Sequence, residues 1–381
     1  MPNIFTKMQD KLKGVPPSAA PLRVEDKIKE ALKSVMDPDL HKDIVTLGFV
    51  KKITVTDGKA DLLVELTTPA CPAKDMLKKQ IEEKTLLVPG VTSVAVDFSA
   101  RVPRGGAAKG AEVQAALGQV ANIIAVASGK GGVGKSTTTV NLALALAQAG
   151  SKVGILDADI HGPSIPMMTG VAQPTEQEGK MVVPPMAYGM KIISVEMFTP
   201  DGKANIMRGP MTSQIVKQFL TQIAWGELDY LLIDYPPGTG DIQLSLSQIA
   251  PLSGAVIVTT PQDVALLDAR KAVTMFNTTK VPILGVVETM SYFVCDGCDK
   301  QHAIFKEGGG EKVALEHGVP LLSKIPLLPS VAEASDSGKP AVLSDTPAAK
   351  AYKEAASTLA SQLSIINMNA AGLTEFSLDW Q

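Results

Sequence analysis

The run Gly129-Lys130-Gly131-Gly132-Val133-Gly134-Lys135-Ser136 constrains this 381-residue chain more than any other feature. It fits G-x-x-x-x-G-K-S/T, a spacing that works only between a strand and a helix. The flanks supply both. Ile123–Ser128 is a short apolar run of the buried-strand kind, and Lys135–Ala149 reads as a helix ended by Gly150. Glycines let backbone N–H groups turn inward around phosphate oxygens, and the helix start adds partial positive charge. There Lys135 reaches the β- and γ-phosphates of a nucleotide, and Ser136 offers its hydroxyl to Mg2+. The bland alternative, a chance glycine-rich turn, does not explain the matching flanks.

Alternation of strand and helix continues beyond this loop. Lys152–Asp157, Leu231–Asp234, Ala255–Thr260 and Ile283–Val287 read as strands. Gln214–Ile223, Asp241–Ile249, Val264–Met275 and Ala348–Leu363 read as helices. Continuous Val/Ile/Leu runs separated by helices predict an α/β fold, a mostly parallel sheet covered by helices on both faces. A second, smaller unit precedes it. Its order is a helix over Val24–Met36, strands over Val50–Thr56 and Lys59–Leu66, a helix over Ala73–Lys84 and a strand over Val91–Val96. Asp57-Gly58 between the first two strands is a hairpin signal, because glycine tolerates positive φ. The expected organisation is a small α+β domain over 23–100, a linker over 101–118, a nucleotide domain over 119–366 and a tail over 367–381. The linker reading rests on Pro103, Gly105, Gly106, Gly110 and many alanines.

Carboxylates stand where the strands end. Leu231-Leu232-Ile233-Asp234 reads as a Walker B strand whose Asp234 holds Mg2+, and Tyr235–Asp241 forms the stiff turn after it. A strand-end cap is the competing role for Asp234, weaker given the phosphate loop upstream. Ile155-Leu156-Asp157-Ala158-Asp159 ends another strand. Asp159 is the candidate for orienting or activating the attacking water, and Asp157 the support for Mg2+ and the loop. Phosphoryl transfer asks mainly for positioning and charge neutralisation, so a weak base suffices.

Three cysteines complete the chemistry-bearing set. Cys295-Asp296-Gly297-Cys298 is a C-x-x-C, compatible with half a zinc site, a redox pair or part of an iron–sulfur site. Asp296, Gly297 and Asp299 favour a loop over the helix start that a redox pair prefers. Zinc or a cluster wants four ligands, and two pairs facing across a two-fold axis supply them. Cys71, in Thr67-Thr68-Pro69-Ala70-Cys71-Pro72, is either a reactive thiolate near a helix start or an inert buried thiol.

Charge narrows the field. Thirty-six Lys and Arg oppose 39 Asp and Glu, a net −3, and aromatics are 4%. That balance argues against a nucleic-acid binder. Apolar runs such as Ala121–Ala127 and Gly254–Val258 are far shorter than the ~20 residues that span a bilayer, so no membrane association is expected. Met1–Lys13 mixes both charge signs without an apolar core, and the expected compartment is the cytoplasm.

On these residues the stretch from about Gly118 to Leu363 resembles the Mrp/ApbC-type iron–sulfur cluster carrier ATPases. Lys130, an early second lysine in the loop, marks the deviant Walker A group to which they belong with MinD, ParA and the nitrogenase iron protein. Ser128–Thr137, Asp157–Pro166, Asp234–Asp241, Met290-Ser291-Tyr292-Phe293, Gly308–Gly310 and Lys324-Ile325-Pro326-Leu327 carry the likeness. Asp37-Pro38, Leu47-Gly48 and Thr67–Pro72 liken the first domain to the metal–sulfur cluster assembly domain. The resemblance implies a homodimer that binds a 4Fe–4S cluster at Cys295 and Cys298, receives it from a scaffold and passes it to apoproteins. ATP and Mg2+ binding over Gly129, Lys130, Gly131, Gly132, Val133, Gly134, Lys135, Ser136 and Thr137 control the exchange. Lys130, Lys135, Asp159 and Asp234 carry over as catalytic residues, with Lys130 reaching the partner's nucleotide. Ser136, Asp157 and Asp234 carry over for magnesium, and Cys71 as an accessory thiol. The usual Glu-Asn-Met reads Glu288-Thr289-Met290 here, so the expected base-recognising asparagine is a threonine. The usual Asp-Pro-Glu reads Asp37-Pro38-Asp39. The alternatives are a MinD/ParA-like positioning ATPase, an electron-transfer protein and a dimer with a structural zinc clasp. The first needs a basic or membrane-facing surface, and Ala348–Leu363 offers two lysines and no basic face.

Overall fold

The computed structural model describes residues 23–105, 111–160, 162–171, 173–174, 176–179, 181–198, 209–295, 297–298 and 300–370. Residues 371–381 of the expected tail, part of the expected linker and Asp296 and Asp299 lie outside them. The chain divides into two compact units.

The first unit contains α1 (Val24–Leu32), β1 (Val50–Thr56), β2 (Lys59–Leu66), α2 (Lys74–Leu86) and β3 (Ser93–Ala100). The strands form one sheet in the order β1-β2-β3. At the hairpin Asp57 and Gly58 have φ 50 and 80, the two left-handed residues a tight two-residue turn needs. Leu62, Val64, Ile28, Leu77 and Ile81 form its core. Alternate burial along β2 follows from the two-residue period of a strand. Helix α1 stops at Leu32, short of the expected Met36. Pro38 disfavours helical backbone before it, and buried Asp37 takes the N–H groups of Asp39 and Leu40 at 3.0 and 2.9 Å instead. The late strand begins at Ser93 rather than Val91 and runs on to Ala100.

The second unit takes Leu66–Pro72 and everything from Ala100 onward. It opens with α3 (Ala111–Ala116), β4 (Val120–Ala127), α4 (Lys135–Gln148), β5 (Val153–Asp157) and α5 (Ile165–Thr169). The short strands β6 (Gln177–Glu178), β7 (Met181–Val182) and β8 (Met186–Ala187) lead into β9 (Met190–Ser194). Then come α6 (Gly209–Gln222), β10 (Leu228–Asp234), α7 (Asp241–Ile249), β11 (Gly254–Thr259), α8 (Asp263–Thr278) and β12 (Ile283–Glu288). A ribbon of β13 (Phe293–Val294) and β14 (Gln301–His302) precedes α9 (Gly309–Glu316), β15 (Leu321–Lys324), α10 (Pro329–Asp336) and α11 (Pro347–Ala370).

Eight strands form one sheet in the order β15-β12-β11-β4-β10-β5-β9-β8. All neighbours run parallel except β8 against β9. This is the α/β architecture of a P-loop NTPase, with helices flanking the sheet. The central strands are buried along their length, which is why they read as unbroken apolar runs. Helix α4 is buried on nearly every side, between the sheet and α11. The small side chains of Ala348, Ala351, Ala355 and Ala356 let α11 come close. The segment read as linker contains α3. Val113 and Leu117 bury into the main core, and α3 packs on α6. The sequence hid this helix because only one turn and a half separates glycine-rich residues from a strand.

Candidate functional site

The phosphate loop leaves β4 and enters α4, as the motif requires. Gly132 and Gly134 have φ 76 and 79, a backbone region costly to any residue with a Cβ. At Gly129 the constraint is proximity: a Cβ there would lie 2.2 Å from the backbone carbonyl carbon of Asp268 on α8. The Ser128 hydroxyl donates to the Lys130 carbonyl at 2.9 Å and pins the loop's first turn. Gly131 and Gly132 are exposed, Val133 and Lys135 are buried, and Lys130, Ser136 and Thr137 are half-buried. Among the described residues no hydrogen bond or ion pair reaches the Lys130 ammonium.

The strand-end carboxylates gather beneath the loop. Parallel pairing of β5 with β10 puts Asp157 opposite Asp234 in register. Lys135 Nζ lies 2.7 Å from Asp234 Oδ2 and 3.4 Å from Asp159 Oδ2. Ser136 Oγ donates to Asp234 Oδ2 at 2.6 Å, and Thr139 Oγ1 donates to Asp234 Oδ1 at 2.7 Å. Asp157 accepts from the Asp159 N–H at 3.1 Å and from Ser194 Oγ at 3.0 Å. The sequence reading missed Ser194, whose role appears only when β9 lies beside β5. The Ser136 hydroxyl and the Asp234 carboxylate are adjacent hard oxygen donors, a set that suits Mg2+.

Charge in this cluster is balanced by proton placement. Burial lowers the Lys135 pKa, but Asp234, Asp159 and Asp157 outweigh it and the ammonium is held above its usual range. Burial raises the Asp157 carboxyl well above the carboxylate range, and the Asp234 charge raises it further. The folded chain therefore holds a proton on Asp157 that the unfolded chain releases. Stability from this site is present at low pH and falls as pH rises from the ordinary carboxylate range through the raised folded value. Asp157→Asn stays neutral throughout. Its stability is expected to gain on the wild type as pH rises from about 5 to about 8, by up to ~1.4 kcal/mol per pH unit inside that interval, read as a rising difference in melting temperature. Parallel pH profiles of the two melting curves would contradict this proton assignment.

The end of β12 touches the same loop. Buried Thr289 donates through Oγ1 to the Val133 carbonyl at 2.6 Å, with the Thr259 carbonyl at 3.1 Å. The residue at the family's asparagine position thus braces the loop from below. Fully buried Glu288 accepts from the Ser291 hydroxyl and from the Gly310 N–H at the start of α9. That contact explains the glycine run there. A Cβ on Gly310 would lie 2.8 Å from Glu288 Cβ, and one on Gly309 would lie 2.7 Å from the Pro261 carbonyl.

Cys295 and Cys298 sit at the turn of the β13–β14 ribbon. Phe293 pairs with His302 and Val294 with Gln301, and the Cys295 N–H donates to the Lys300 carbonyl at 3.0 Å. Cys295 is half-buried and Cys298 exposed, in a hairpin turn rather than at a helix start. Half-buried Cys71 lies in the Leu66–Pro72 segment, where Thr68 Oγ1 and the Tyr230 hydroxyl are 3.1 Å apart. Among the described residues no three His, Cys, Asp or Glu side chains group closely enough to hold a metal ion. Among these residues Cys71 does not join Cys295 and Cys298 in such a group. No described helix is long and apolar enough to cross a membrane.

Comparison with known proteins agrees with this construction. Residues 119–361 match the family model of the NUBPL iron-transfer P-loop NTPase, and residues 25–97 that of an iron–sulfur cluster assembly protein. The iron–sulfur cluster carrier protein of Deinococcus radiodurans is 46% identical over 346 residues, 90% of this chain and 96% of its own. That of Escherichia coli is 43% identical over 338 residues, covering 87% and 90%. The solved structure of a nucleotide-binding protein from Archaeoglobus fulgidus in complex with ADP shares 40% identity and a TM-score of 0.53, over 60% of this chain and 90% of that one. With its phosphate loop, strand-end carboxylates and matching sequence, the chain belongs to the NUBPL-type iron-transfer P-loop NTPases and carries an iron–sulfur cluster assembly domain in front.

Proposed function

We propose that the protein is an iron–sulfur cluster carrier. Two copies hold one 4Fe–4S cluster between their Cys295–Cys298 hairpins, accept it from a scaffold and deliver it to recipient apoproteins. The observation that carries this reading is the hairpin itself. It presents two cysteines per chain at one turn, Cys298 exposed and Cys295 half-buried, half of what a four-ligand site needs, so a second copy completes the set. An accessible turn also suits a cargo that must leave.

ATP binding and hydrolysis set the cycle. The N–H groups over Gly129–Thr137 and Lys135 hold the phosphates, and Lys130 reaches the nucleotide of the partner copy. Ser136 and Asp234 hold Mg2+, which neutralises phosphate charge, while Asp157 supports the loop. Asp159, 3.4 Å from Lys135, orients the attacking water. Transfer from loaded protein to an apoprotein with an empty 4Fe–4S site, with and without ATP, tests the reading. Asp159→Asn is expected to bind nucleotide yet hydrolyse it about 100-fold more slowly or worse, and to lose the ATP effect on transfer. Transfer that ignores both ATP and this substitution would refute the cycle.

A further inference from the structure

We infer that the turn Glu288–Ser291 is the joint through which the phosphate loop acts on the cysteine hairpin, with Thr289 as its positioning residue. The inference builds on the carrier reading only in giving the hairpin a cargo.

The peptide between Val133 and Gly134 is the starting point. It is a rigid plane, so its C=O and N–H move together. Its N–H belongs to the set that the loop offers to phosphate. Its C=O accepts from Thr289 Oγ1 at 2.6 Å. Nucleotide and Thr289 therefore act on opposite edges of one plane. The Thr289 hydroxyl has a single proton, and its second acceptor, the Thr259 carbonyl, lies 3.1 Å away on the neighbouring strand. The side-chain methyl lies beneath the loop as well, 3.6 Å from where a Cβ on Gly134 would stand. A tilt of the Val133–Gly134 plane changes how that proton is shared and presses on the methyl.

From Thr289 to Cys295 little can absorb such a movement. Met290 takes φ 51, a left-handed backbone that only the surroundings hold in place for a non-glycine residue. Ser291 is fixed by its N–H to the Ile325 carbonyl at 3.0 Å and by its hydroxyl to Glu288. Glu288 is itself fixed by the Gly310 N–H and, through its carbonyl, by the Ile325 N–H at 2.7 Å. The Tyr292 carbonyl accepts from the Leu327 N–H at 2.7 Å, and Phe293 bridges to Leu327. Phe293 and Val294 then form the hairpin strand that ends at Cys295. The Thr289 hydroxyl thus ties the phosphate loop to a segment that is held against Ile325 and Leu327 and runs on to the first cysteine.

The test uses the full-length, cluster-free chain under reducing, anaerobic conditions, with Cys71→Ser so that alkylation reports Cys295 and Cys298. Iodoacetamide rates, read by mass spectrometry, are compared without nucleotide, with ADP and with a non-hydrolysable ATP analogue. Saturation is verified with a fluorescent nucleotide. Nucleotide is expected to change the rate about fivefold or more, the low end of ordinary coupling between sites. Thr289→Val, which keeps the shape and loses the hydroxyl, should lose that response at saturating nucleotide. Thr289→Ser should keep it. Met290→Gly removes the backbone restriction without touching the hydroxyl and should weaken the response, and it decides the question if Thr289→Val does not fold. A wild type without nucleotide response, a full response in Thr289→Val, or a Thr289→Val chain that no longer binds nucleotide overturns the joint. Iron loading is measured alongside. Normal loading with unresponsive thiols refutes the joint alone, and responsive thiols without loading refute the carrier reading alone.

Discussion

Lys135→Ala is expected to abolish ATP hydrolysis and also to destabilise the nucleotide domain. The two effects have different causes. Hydrolysis is lost because the ammonium is the loop's own charge against the phosphates. Stability is lost because Lys135 is 6% exposed and pairs with Asp234 and Asp159 in the interior. Breaking a buried ion pair by removing one partner leaves the other charge uncompensated and costs about 3–5 kcal/mol. The charge left behind is that of the carboxylates Lys135 faces, Asp234 first among them at 2.7 Å. Adding Asp234→Asn should therefore restore much of the melting temperature to the Lys135→Ala chain without restoring hydrolysis. Thermal unfolding and phosphate release, measured on both singles and the double, separate the effects. A double variant less stable than Lys135→Ala alone would show that the carboxylates are not what the lysine balances.

Cys295→Ser/Cys298→Ser is expected to remove cluster loading almost completely while leaving ATP hydrolysis and the melting temperature near wild type. The hairpin explains the contrast. It stands on a two-residue ribbon outside the main sheet, and neither thiol belongs to the buried core. Either single substitution leaves two thiolates per dimer, short of the four a cubane cluster uses, so each should lose most of the loading. Cys71→Ser should keep it, because Cys71 forms no metal-binding group with the pair among the described residues. Iron and sulfide analysis after anaerobic reconstitution checks all four chains.

What the sequence revealed depended on how local the cause was. The loop Gly129–Ser136, the strand before it and the helix after it are contiguous, so spacing alone identified them. Asp157 and Asp234 were legible because each ends an apolar run. Their adjacency was not, since it needs the parallel register of β5 with β10. Ser194 sits on β9, whose Met-Lys-Ile-Ile-Ser sequence carries no motif, and its partner is 37 residues away. Helix α9 was masked by Gly308–Gly310, which look like loop residues. Two of them are glycine because α9 starts against Pro261 and Glu288. Edge strand β15 has only four residues, too few to show a period. Thr289 stands out in the sequence as a departure from the family's asparagine. Its role under the phosphate loop depends on a contact across 156 residues of chain that no local pattern records.

The carrier reading stands or falls on what the hairpins hold. Anaerobic reconstitution with iron and sulfide, followed by iron, sulfide and zinc analysis of the sized protein, tests that most directly. A dimer with about four irons and four sulfides per two chains, absent from Cys295→Ser/Cys298→Ser, is the expected result. A dimer with about one zinc per two chains and no sulfide, lost in the same variant, would contradict it and make the hairpin pair a structural clasp.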